Sequence, residues 1–270
     1  MWTDQHLKWL KDTGEVITTA CGKKASIYQF AYEVSDEETM TAWASHFRKH
    51  YCSDFELKTL KPEGKSDSEY LLEVKFPSKS KAPGASVRAG DFAEILVADY
   101  LQFLKGYCVP RTRYDRKIVA NESSKGSDVI AFKQNNPEPS RRDELLIYEV
   151  KAKLSENKVA NVLQDAIDHS SKDEIRIAES LNAIKQRLYD RNDEHGVSTV
   201  GRFQKNVDAP YKRSYGAAAI LTKTSFCPET LSEADSAEHP NNKELELLVI
   251  SGEKLMLLVH ELYERAANGA

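Results

Sequence analysis

The sequence predicts an α/β fold in which helices flank a mixed β-sheet, and two observations lead to this prediction. Segments in which apolar residues alternate or run together, as in strands, are separated by stretches with helical periodicity. From residue 86 onward their order is helix, strand, returning strand, helices and further strands, which is typical of a mixed sheet. A chain of 270 residues is long enough for one large domain or for a domain with a smaller lobe.

We predict a small N-terminal α/β lobe at residues 1–80 and a second domain at residues 81–270. In the lobe, "SIYQFAYEV" (26–34) alternates like a strand, and a segment with an acidic helix start follows it. We interpret "SEYLLEVKFPS" (68–78) as another strand. The segment "KSKAPGASVRAG" (79–90) is rich in Lys, Ser, Pro and Gly, so it is the best candidate for the boundary.

The second domain begins with the helix "SVRAGDFAEILVADYLQFLKG" (86–106), whose apolar residues lie nearly all round it. Such a helix is expected to be buried. The strands "SDVIAFK" (127–133) and "ELLIYEVKAK" (144–153) follow, joined by a polar connection. The remaining predicted elements are helices over about 157–192, strands at 217–223 and 245–251, and an amphipathic helix at 252–266.

Composition favours a soluble, cytoplasmic protein. No apolar run approaches the roughly 18 residues of a membrane helix, and the first residues are too polar for a signal peptide. The four cysteines form no CxxC pair and are interpreted as reduced thiols. A net charge of −4 is unfavourable for tight, independent binding to nucleic acid, so any DNA contact should be local or supplied by a partner.

Carboxylates and lysines occupy positions where a metal-dependent phosphodiesterase would need them. Glu94 lies on the helix before the sheet, Asp128 begins a strand, and the next strand carries Glu149, Lys151 and Lys153 on one face. Antiparallel pairing of the two strands would bring Asp128 opposite Glu149. Two or three convergent carboxylates suffice for Mg²⁺, and a neighbouring lysine can orient or deprotonate an attacking water. Without an ion, such carboxylates would repel one another.

These residues also have structural explanations. An acid followed two residues later by Lys occurs six times in a chain that is 30% charged. Glu149 and Lys151 could therefore lie on a solvated strand face, and Asp128 could be a turn residue. Glu94 is harder to explain in this way, because its helix face is otherwise apolar and a lone buried carboxylate is costly.

A second copy of the same spacing occurs nearer the N-terminus, in Asp54, Glu73 and Lys75. Pro77 and a flexible stretch follow it in place of a supporting helix. We therefore interpret this copy as a coincidence.

The segments "GDFAEIL", "KGSDVIAF" and "IYEVKAK" resemble the PD-(D/E)XK nuclease superfamily, whose fold is the restriction-endonuclease-like core. The resemblance covers about residues 86–190. It implies that Glu94, Asp128 and Glu149 hold Mg²⁺, with Mn²⁺ as the alternative, and that Lys151 is catalytic.

Two further residues are candidates for accessory roles in such a site. Gln164, in the following helix, resembles the accessory glutamine of several nuclease branches, and Lys153 shares a strand face with Lys151. Ser127 is a departure from the superfamily pattern, because a proline often precedes the first strand aspartate.

The layout of the whole chain resembles the HamA family, the nuclease subunits of Hachiman anti-phage defence. The resemblance implies a DNA endonuclease of low sequence specificity and a helicase partner, HamB, that holds the nuclease inactive. The alternative is a catalytically inactive nuclease fold that serves as a DNA-binding or regulatory subunit. Intact carboxylates and Lys151 favour the active form.

Two parts of the chain are candidates for contacting DNA or a protein partner. A basic set is expected to contact DNA phosphates, although such runs more often form a solvated face; it comprises Arg88, Arg111, Arg113, Arg116 and Lys117. The N-terminal lobe and the helix at 252–266 are candidates for binding the helicase. The apolar stripe of that helix is more often ordinary core; it comprises Leu255, Leu258, Val259 and Leu262.

Overall fold

A computed structural model describes residues 2–155, 159–205 and 210–269. Its strands are β1 (Leu10–Thr18), β2 (Lys24–Phe30), β3 (Val129–Lys133), β4 (Glu144–Lys153), β5 (Lys212–Thr222) and β6 (Leu245–Gly252). Its α-helices are α1 (Glu37–Lys49), α2 (Asp54–Leu60), α3 (Asp67–Tyr70), α4 (Gly84–Asp99), α5 (Val162–Ser170), α6 (Asp173–Asp190), α7 (Glu194–Phe203), α8 (Pro228–Ser232) and α9 (Leu255–Asn268). Short 3₁₀ or π-helical turns lie at Gln5–Trp9, Leu71–Lys75, Tyr100–Leu104, Lys223–Ser225 and Asn242–Glu244.

The six strands form one mixed sheet in the order β1-β2-β6-β5-β4-β3, which confirms the predicted fold class. The four central strands are parallel, whereas the edge strands β1 and β3 pair antiparallel with their neighbours. In the β3–β4 ladder Val129 pairs with Tyr148, so the preceding Asp128 stands opposite Glu149. The antiparallel pairing that the sequence analysis required is therefore confirmed.

Helices cover both faces of the sheet, and β4 shows how the sequence divides between them. Leu146, Tyr148 and Val150 join a core with α1, α4 and α9, whereas Leu145 and Ile147 join a core with α5, α6 and α7. This alternation is the period of a strand whose two faces are both buried. Glu149 and Lys151 follow the second set and therefore face α5 and α6.

The two N-terminal strands belong to the same sheet as the rest of the chain. Strand β2 pairs in parallel with β6 from Ala25–Leu247 to Phe30–Gly252, and α1 packs against α9. These contacts cross the boundary placed near residue 80. The division into two domains remains a prediction.

The interpretation of residues 68–78 as a strand is wrong, because α3 and a π-helical turn occupy them. Ser66 and Glu69 form a reciprocal capping box: the Ser66 hydroxyl accepts from the Glu69 amide, and the Glu69 carboxylate accepts from the Ser66 amide. This local pairing starts a helix and overrides the β propensity of the apolar residues that follow. Glu73 is exposed and pairs with Lys65, which agrees with the interpretation of the second copy as a coincidence.

Other differences follow from exposure and burial. Strand β1 was not predicted, and most of its side chains are exposed at the sheet edge, so its sequence shows little alternation. Helix α9 was predicted, but its apolar stripe is fully buried core and is not available to a partner. The predicted helix start at 157 and the triplet from Glu156 to Lys158 lie outside the described residues.

Expectations from composition can also be compared with the structure. All four cysteines lie in the described part of the chain, and none is in a disulfide. Among the described helices, none has both the length and the apolar character needed to span a membrane.

A group of polar side chains lies inside the protein beneath α1, and we call it the histidine cluster: His6, His46, His50, Asp99 and Arg111. Asp99 lies 3.0 Å from the Nε2 atoms of His6 and His46 and 2.6 Å from Arg111 Nη2. Arg111 Nη1 lies 2.9 Å from His50 Nε2. Since a buried charge is tolerated only when it is paired, this cluster ties the N-terminal turn to α1 and α4. In the sequence, the i, i+4 spacing of His46 and His50 is the signal that could have indicated this cluster.

The cluster changes the proton affinity of its members. Burial and the nearby Arg111 guanidinium hold the pKa of His50 well below its usual range, and burial lowers the pKa of His46. Burial alone would raise the pKa of Asp99, but Arg111 and His46 together hold it well below its usual range. The native state therefore favours neutral His46 and His50 beside an ionised Asp99.

We predict that the unaltered protein loses stability relative to His50→Gln as the pH is lowered from 7.5 to 5.5. Below the ordinary histidine pKa of about 6.5, the unfolded chain binds a proton at His50 that the native chain does not bind, and this favours unfolding. One such group contributes up to about 1.4 kcal/mol per pH unit. Urea denaturation of both proteins at several pH values measures the difference, from which the contributions of other titrating groups cancel. A difference that stays constant over this range would contradict the prediction.

Candidate active site

Three of the predicted residues meet where β3 and β4 pair. Asp128 precedes β3, and its Oδ2 accepts a hydrogen bond from the Val150 amide at 2.9 Å. Glu149, on β4, is buried, and Lys151 Nζ donates to its Oε1 at 2.5 Å. His169 at the end of α5 places Nδ1 3.4 Å from the same oxygen. The strand pairing thus brings Asp128, Glu149 and Lys151 together as the sequence analysis expected.

The turn before Asp128 is held against α6. Gly126 has a φ of +88°, and a Cβ at this position would lie 3.0 Å from Ser180 Oγ. The Ser127 amide donates to the same hydroxyl at 3.2 Å. Glycine is therefore required both by the backbone conformation and by the close approach of α6. This contact fixes the position of Asp128 relative to α6.

Glu94 reaches the site from α4, on the opposite face of the sheet, and Arg113 links it to Asp128. Arg113 Nε donates to Glu94 Oε2 at 2.5 Å, and Arg113 Nη2 donates to Asp128 Oδ1 at 2.7 Å. Tyr114 donates its hydroxyl proton to the same Glu94 oxygen at 2.5 Å. Arg113 also donates to the Ser127 carbonyl at 2.6 Å. A guanidinium thus neutralises two of the three carboxylates that were expected to hold a metal.

Arg113 belongs to a segment, residues 111–117, in which three basic side chains pair with carboxylates of α4, whereas Arg116 pairs with Glu56 of α2. The three ion pairs join Arg111 to Asp99 at 2.6 Å, Arg113 to Glu94 at 2.5 Å and Lys117 to Asp91 at 2.7 Å. Cations along residues 111–117 therefore match carboxylates along α4 in reverse order. We call this segment the basic segment.

These pairings bear on the residues predicted to bind DNA. Arg111, Arg113 and Lys117 are buried or nearly so by the ion pairs of the basic segment. Arg88 is also buried; its Nε donates to the Pro77 carbonyl at 2.6 Å and its guanidinium lies over Tyr263. Phosphate contacts by these side chains would require the packing to open. Of the predicted set, Arg116 alone is substantially exposed, with 43% of its side chain accessible.

Asp173 was not predicted as a site residue, yet the charges of Glu149 and Asp128 help to raise its pKa. It is the first residue of α6 and is completely buried. Neither of its carboxylate oxygens has a hydrogen-bond partner among the described residues. In the sequence it is one of the acids of a helix first turn, where acids are common, so no signal distinguished it.

The site carboxylates have raised pKa values. Burial, with added repulsion from Asp128 and Asp91, raises the pKa of Glu94 to about 8 despite Arg113. Burial and the Asp128 charge raise the pKa of Glu149. Burial and the Glu149 charge raise the pKa of Asp173 to about 7. Several buried acids with raised pKa values in one place are common at functional sites.

Of the two predicted accessory residues, Lys153 lies on the expected strand face, whereas the side-chain amide of Gln164 is bound to a loop. Gln164 Oε1 accepts from the Asp235 amide at 2.6 Å, and its Nε2 donates to the Asp235 carbonyl at 3.1 Å. Its amide therefore fastens α5 to the loop that follows α8. Lys153 lies two residues beyond Lys151 on the same face of β4 and is partly buried.

The donor set suits a hard divalent cation. Asp128, Glu149 and Asp173 offer carboxylate oxygens, which Mg²⁺ and Mn²⁺ prefer, and Asp173 is buried without a partner among the described residues. Glu94 and Asp128 are both already engaged: one Glu94 oxygen accepts from Arg113 and Tyr114, and the two Asp128 oxygens accept from Arg113 and the Val150 amide. In the histidine cluster, His46, His50 and Asp99 place three possible ligand atoms within 4.8 Å of one another, but Arg111 already supplies a positive charge there.

We predict that Arg113→Met lowers the free energy of unfolding by about 3 kcal/mol or more, because it leaves Glu94 and Asp128 without their buried counter-charge. Arg116→Met is the matched control: its exposed pair with Glu56 should contribute less than about 1 kcal/mol. Chemical denaturation measures both values. Millimolar Mg²⁺ should raise the melting temperature of Arg113→Met more than that of the unaltered protein. Equal losses in the two variants would show that Arg113 has no special role.

Comparison with known proteins identifies the family to which the chain belongs. No curated protein matches the chain. The family model HamA matches residues 4–266, which is nearly the whole chain. The chain therefore belongs to the HamA family of Hachiman antiviral defence.

Proposed function

We propose that this protein is a magnesium-dependent deoxyribonuclease of low sequence specificity that acts in Hachiman defence. The observation that carries the proposal is the group formed by Asp128, Glu149 and Lys151 at the β3–β4 pairing. Its order along the chain, after the helix that bears Glu94, resembles the PD-(D/E)XK nucleases. Membership of the HamA family supports the same reaction class.

The chemistry divides between an ion and the protein's own side chains. When bound, Mg²⁺ would lower the pKa of a coordinated water and stabilise the charge that develops on the phosphate. Asp128 and Glu149 would hold the ion. Lys151, whose side chain is 27% exposed, is positioned to orient the attacking water and to stabilise the negative charge that develops on the phosphate.

Glu94 has a different role in this proposal. Its contacts with Arg113 and Tyr114 make it a positioning residue, because it fixes the guanidinium that in turn orients Asp128. Lys153 and Arg116 remain candidates for contacting the DNA backbone. Both lie outside the group formed by Glu94, Asp128 and Glu149 with their cations. Lysine and arginine side chains neutralise phosphates whatever the base sequence.

A helicase partner accounts for features that the nuclease alone does not. The net charge of −4 opposes capture of DNA, and carboxylates occupy most of the basic side chains predicted to bind it. A partner that brings DNA to the site would provide the attraction for DNA that the protein's own charges do not provide. The N-terminal residues 1–80 are the proposed contact surface for such a HamB-like helicase.

One observation favours the alternative of an inactive, regulatory subunit. Arg113 lies between Glu94 and Asp128, where the superfamily pattern would place a metal. If that arrangement were permanent, the ion would lose two of its three expected ligands. The two readings differ in whether the protein cleaves DNA at all.

We predict that the protein cleaves plasmid DNA in the presence of Mg²⁺, alone or together with its helicase, and that EDTA stops the reaction. Glu149→Gln and Lys151→Met should each reduce the rate about 10²-fold or more, because one removes a metal ligand and the other removes the cation beside the reacting phosphate. Lys223→Met is the control, since this lysine directly follows β5 with 64% of its side chain exposed, and it should have a much smaller effect. Cleavage that survives both substitutions would contradict the site, and no cleavage in any condition would favour the regulatory subunit.

We also predict a stable complex with the helicase encoded in the same defence system. Co-expression followed by size-exclusion chromatography should show the two proteins eluting together. DNA cleavage by the complex should be low until an activating DNA is added, and should then exceed cleavage by the nuclease alone. Separate elution, combined with full activity of the nuclease alone, would rule out restraint by the partner.

A further inference from the structure

A pocket lies between α6 and the loop at residues 113–126, next to the beginning of β3. It has an inner cavity of about 70 Å³ and an outer, more open part of about 340 Å³. The two parts adjoin, and we call them together the α6 pocket; the residues that line both are Arg113, Lys125, Ser180, Ala183 and Arg187. Asp128 lines the inner cavity, whereas Glu149 and Lys151 line neither part. The α6 pocket therefore meets the candidate active site at Asp128.

Positive charge predominates around the α6 pocket. Its outer part is lined by five basic side chains and by two acidic ones, Glu122 and Glu179. Both acids are exposed, so water and salt screen their charges. Burial and three neighbouring guanidinium groups lower the pKa of Arg187, although the Asp115 carboxylate opposes them. An excess of positive charge in a partly enclosed pocket attracts anions.

Two of the five basic side chains are not committed to a carboxylate. Arg113, Arg116 and Lys117 each form an ion pair at 2.5 to 2.7 Å. Arg187 is partly buried and Lys125 is exposed, and neither side chain has an ion pair or a hydrogen bond among the described residues. A guanidinium has several N–H donors in a fixed plane and stays charged when buried. Arg187 and Lys125 are therefore the cations of this pocket that are available to an anion from outside.

A phosphate group matches these two side chains in chemistry and in size. Guanidinium groups bind phosphate oxygens through paired N–H donors, and lysine adds a point charge. A water molecule takes up about 30 Å³ in the liquid, so the inner cavity of about 70 Å³ admits phosphate oxygens but not a nucleobase. The outer part is open enough for a polymer backbone to pass. The pocket thus suits a phosphate that belongs to a chain.

We propose that the α6 pocket binds a phosphate group of the DNA backbone through Arg187 and Lys125, beside the phosphodiester that is cut. This inference rests on the proposed function, because it assigns a substrate contact next to the same site. Since Asp128 lines the pocket and Lys151 does not, the bound phosphate is a neighbour of the reacting one. Such a contact positions the DNA and adds affinity without reading its sequence.

The test measures DNA binding in the presence of EDTA, so that it does not depend on cleavage. Fluorescence anisotropy follows a labelled duplex as the salt concentration is raised. Arg187→Met is compared with Lys185→Met, which removes the same charge from the same helix; Lys185 donates to Gln204 at 3.0 Å and lies outside the α6 pocket. Glu179→Gln and Glu174→Gln are a second matched pair, since only Glu179 lines the pocket.

Arg187→Met should weaken DNA binding roughly eightfold at about 0.1 M salt and lower the slope of log K against log salt by about 0.9, the values for one phosphate contact. Glu179→Gln should tighten binding, because it removes a repelling charge from the pocket. Lys185→Met and Glu174→Gln should change binding less than about twofold, because salt screens more distant charges. Arg187→Lys should bind with an intermediate affinity.

Equal weakening by Arg187→Met and Lys185→Met would overturn the inference, because net charge alone would then explain the loss. The absence of DNA binding by the unaltered protein at low salt would overturn it as well. If Arg187→Met does not fold, Arg187→Lys and the pair Glu179→Gln and Glu174→Gln decide. Equal affinities of Glu179→Gln and Glu174→Gln, with Arg187→Lys unchanged from the unaltered protein, would then exclude the site.

Inorganic phosphate and ATP distinguish DNA from a free phosphate ligand. Each is titrated into the unaltered protein and into Arg187→Met while the melting temperature is recorded. A rise that requires Arg187, together with DNA binding that does not, would assign the pocket to a free phosphate compound and contradict the DNA contact.

The outcomes also separate this inference from the proposed function. If the unaltered protein cleaves DNA and Arg187→Met binds DNA normally, the phosphate site fails and the nuclease stands. If DNA binding depends on Arg187 but no condition gives cleavage, the phosphate site stands and the protein is a DNA-binding subunit without nuclease activity.

Discussion

Buried carboxylates and the cations that neutralise them link the parts of this structure that surround the candidate site. Helix α4 carries Asp91, Glu94 and Asp99 inside the protein, and each would be costly to bury alone. The basic segment provides a cation for each of these three carboxylates. Its residues form no regular helix or strand that could hold them in place, so the ion pairs and their hydrogen bonds define its path.

The same constraint connects the histidine cluster to the candidate active site. Arg111 satisfies Asp99 in the cluster, and Arg113, two residues later, satisfies Glu94 and Asp128. A displacement of the basic segment would therefore uncover buried charge at both places. Removing one partner of a buried ion pair destabilises the folded state by more than the intact pair stabilises it. The basic segment is therefore expected to move as a whole rather than one ion pair at a time.

Regular patterns made part of this arrangement predictable. Alternation along β4 identified its two faces, and with antiparallel pairing it placed Asp128 opposite Glu149. The partner of Glu94 could not be predicted, because the run that contains Arg113 looks like a solvated basic surface. The burial of Asp173 could not be predicted for a similar reason: only tertiary packing distinguishes a buried first-turn acid from an exposed one. Local capping by Ser66 likewise outweighed a strand-like apolar pattern.

The distribution of charge also bears on how such a protein would be controlled. If the proposed function holds, Arg113 already neutralises the α4 side of the site, whereas on the α6 side Lys151 pairs with Glu149 and Asp173 has no hydrogen-bond partner among the described residues. Phosphodiester cleavage needs positive charge beside the phosphate, and here most of the protein's own cations near the site are committed to carboxylates. The ion and a partner that delivers DNA must then supply the attraction. A nuclease built in this way would have little activity until both are present, which suits an enzyme that shares a cell with its own genome.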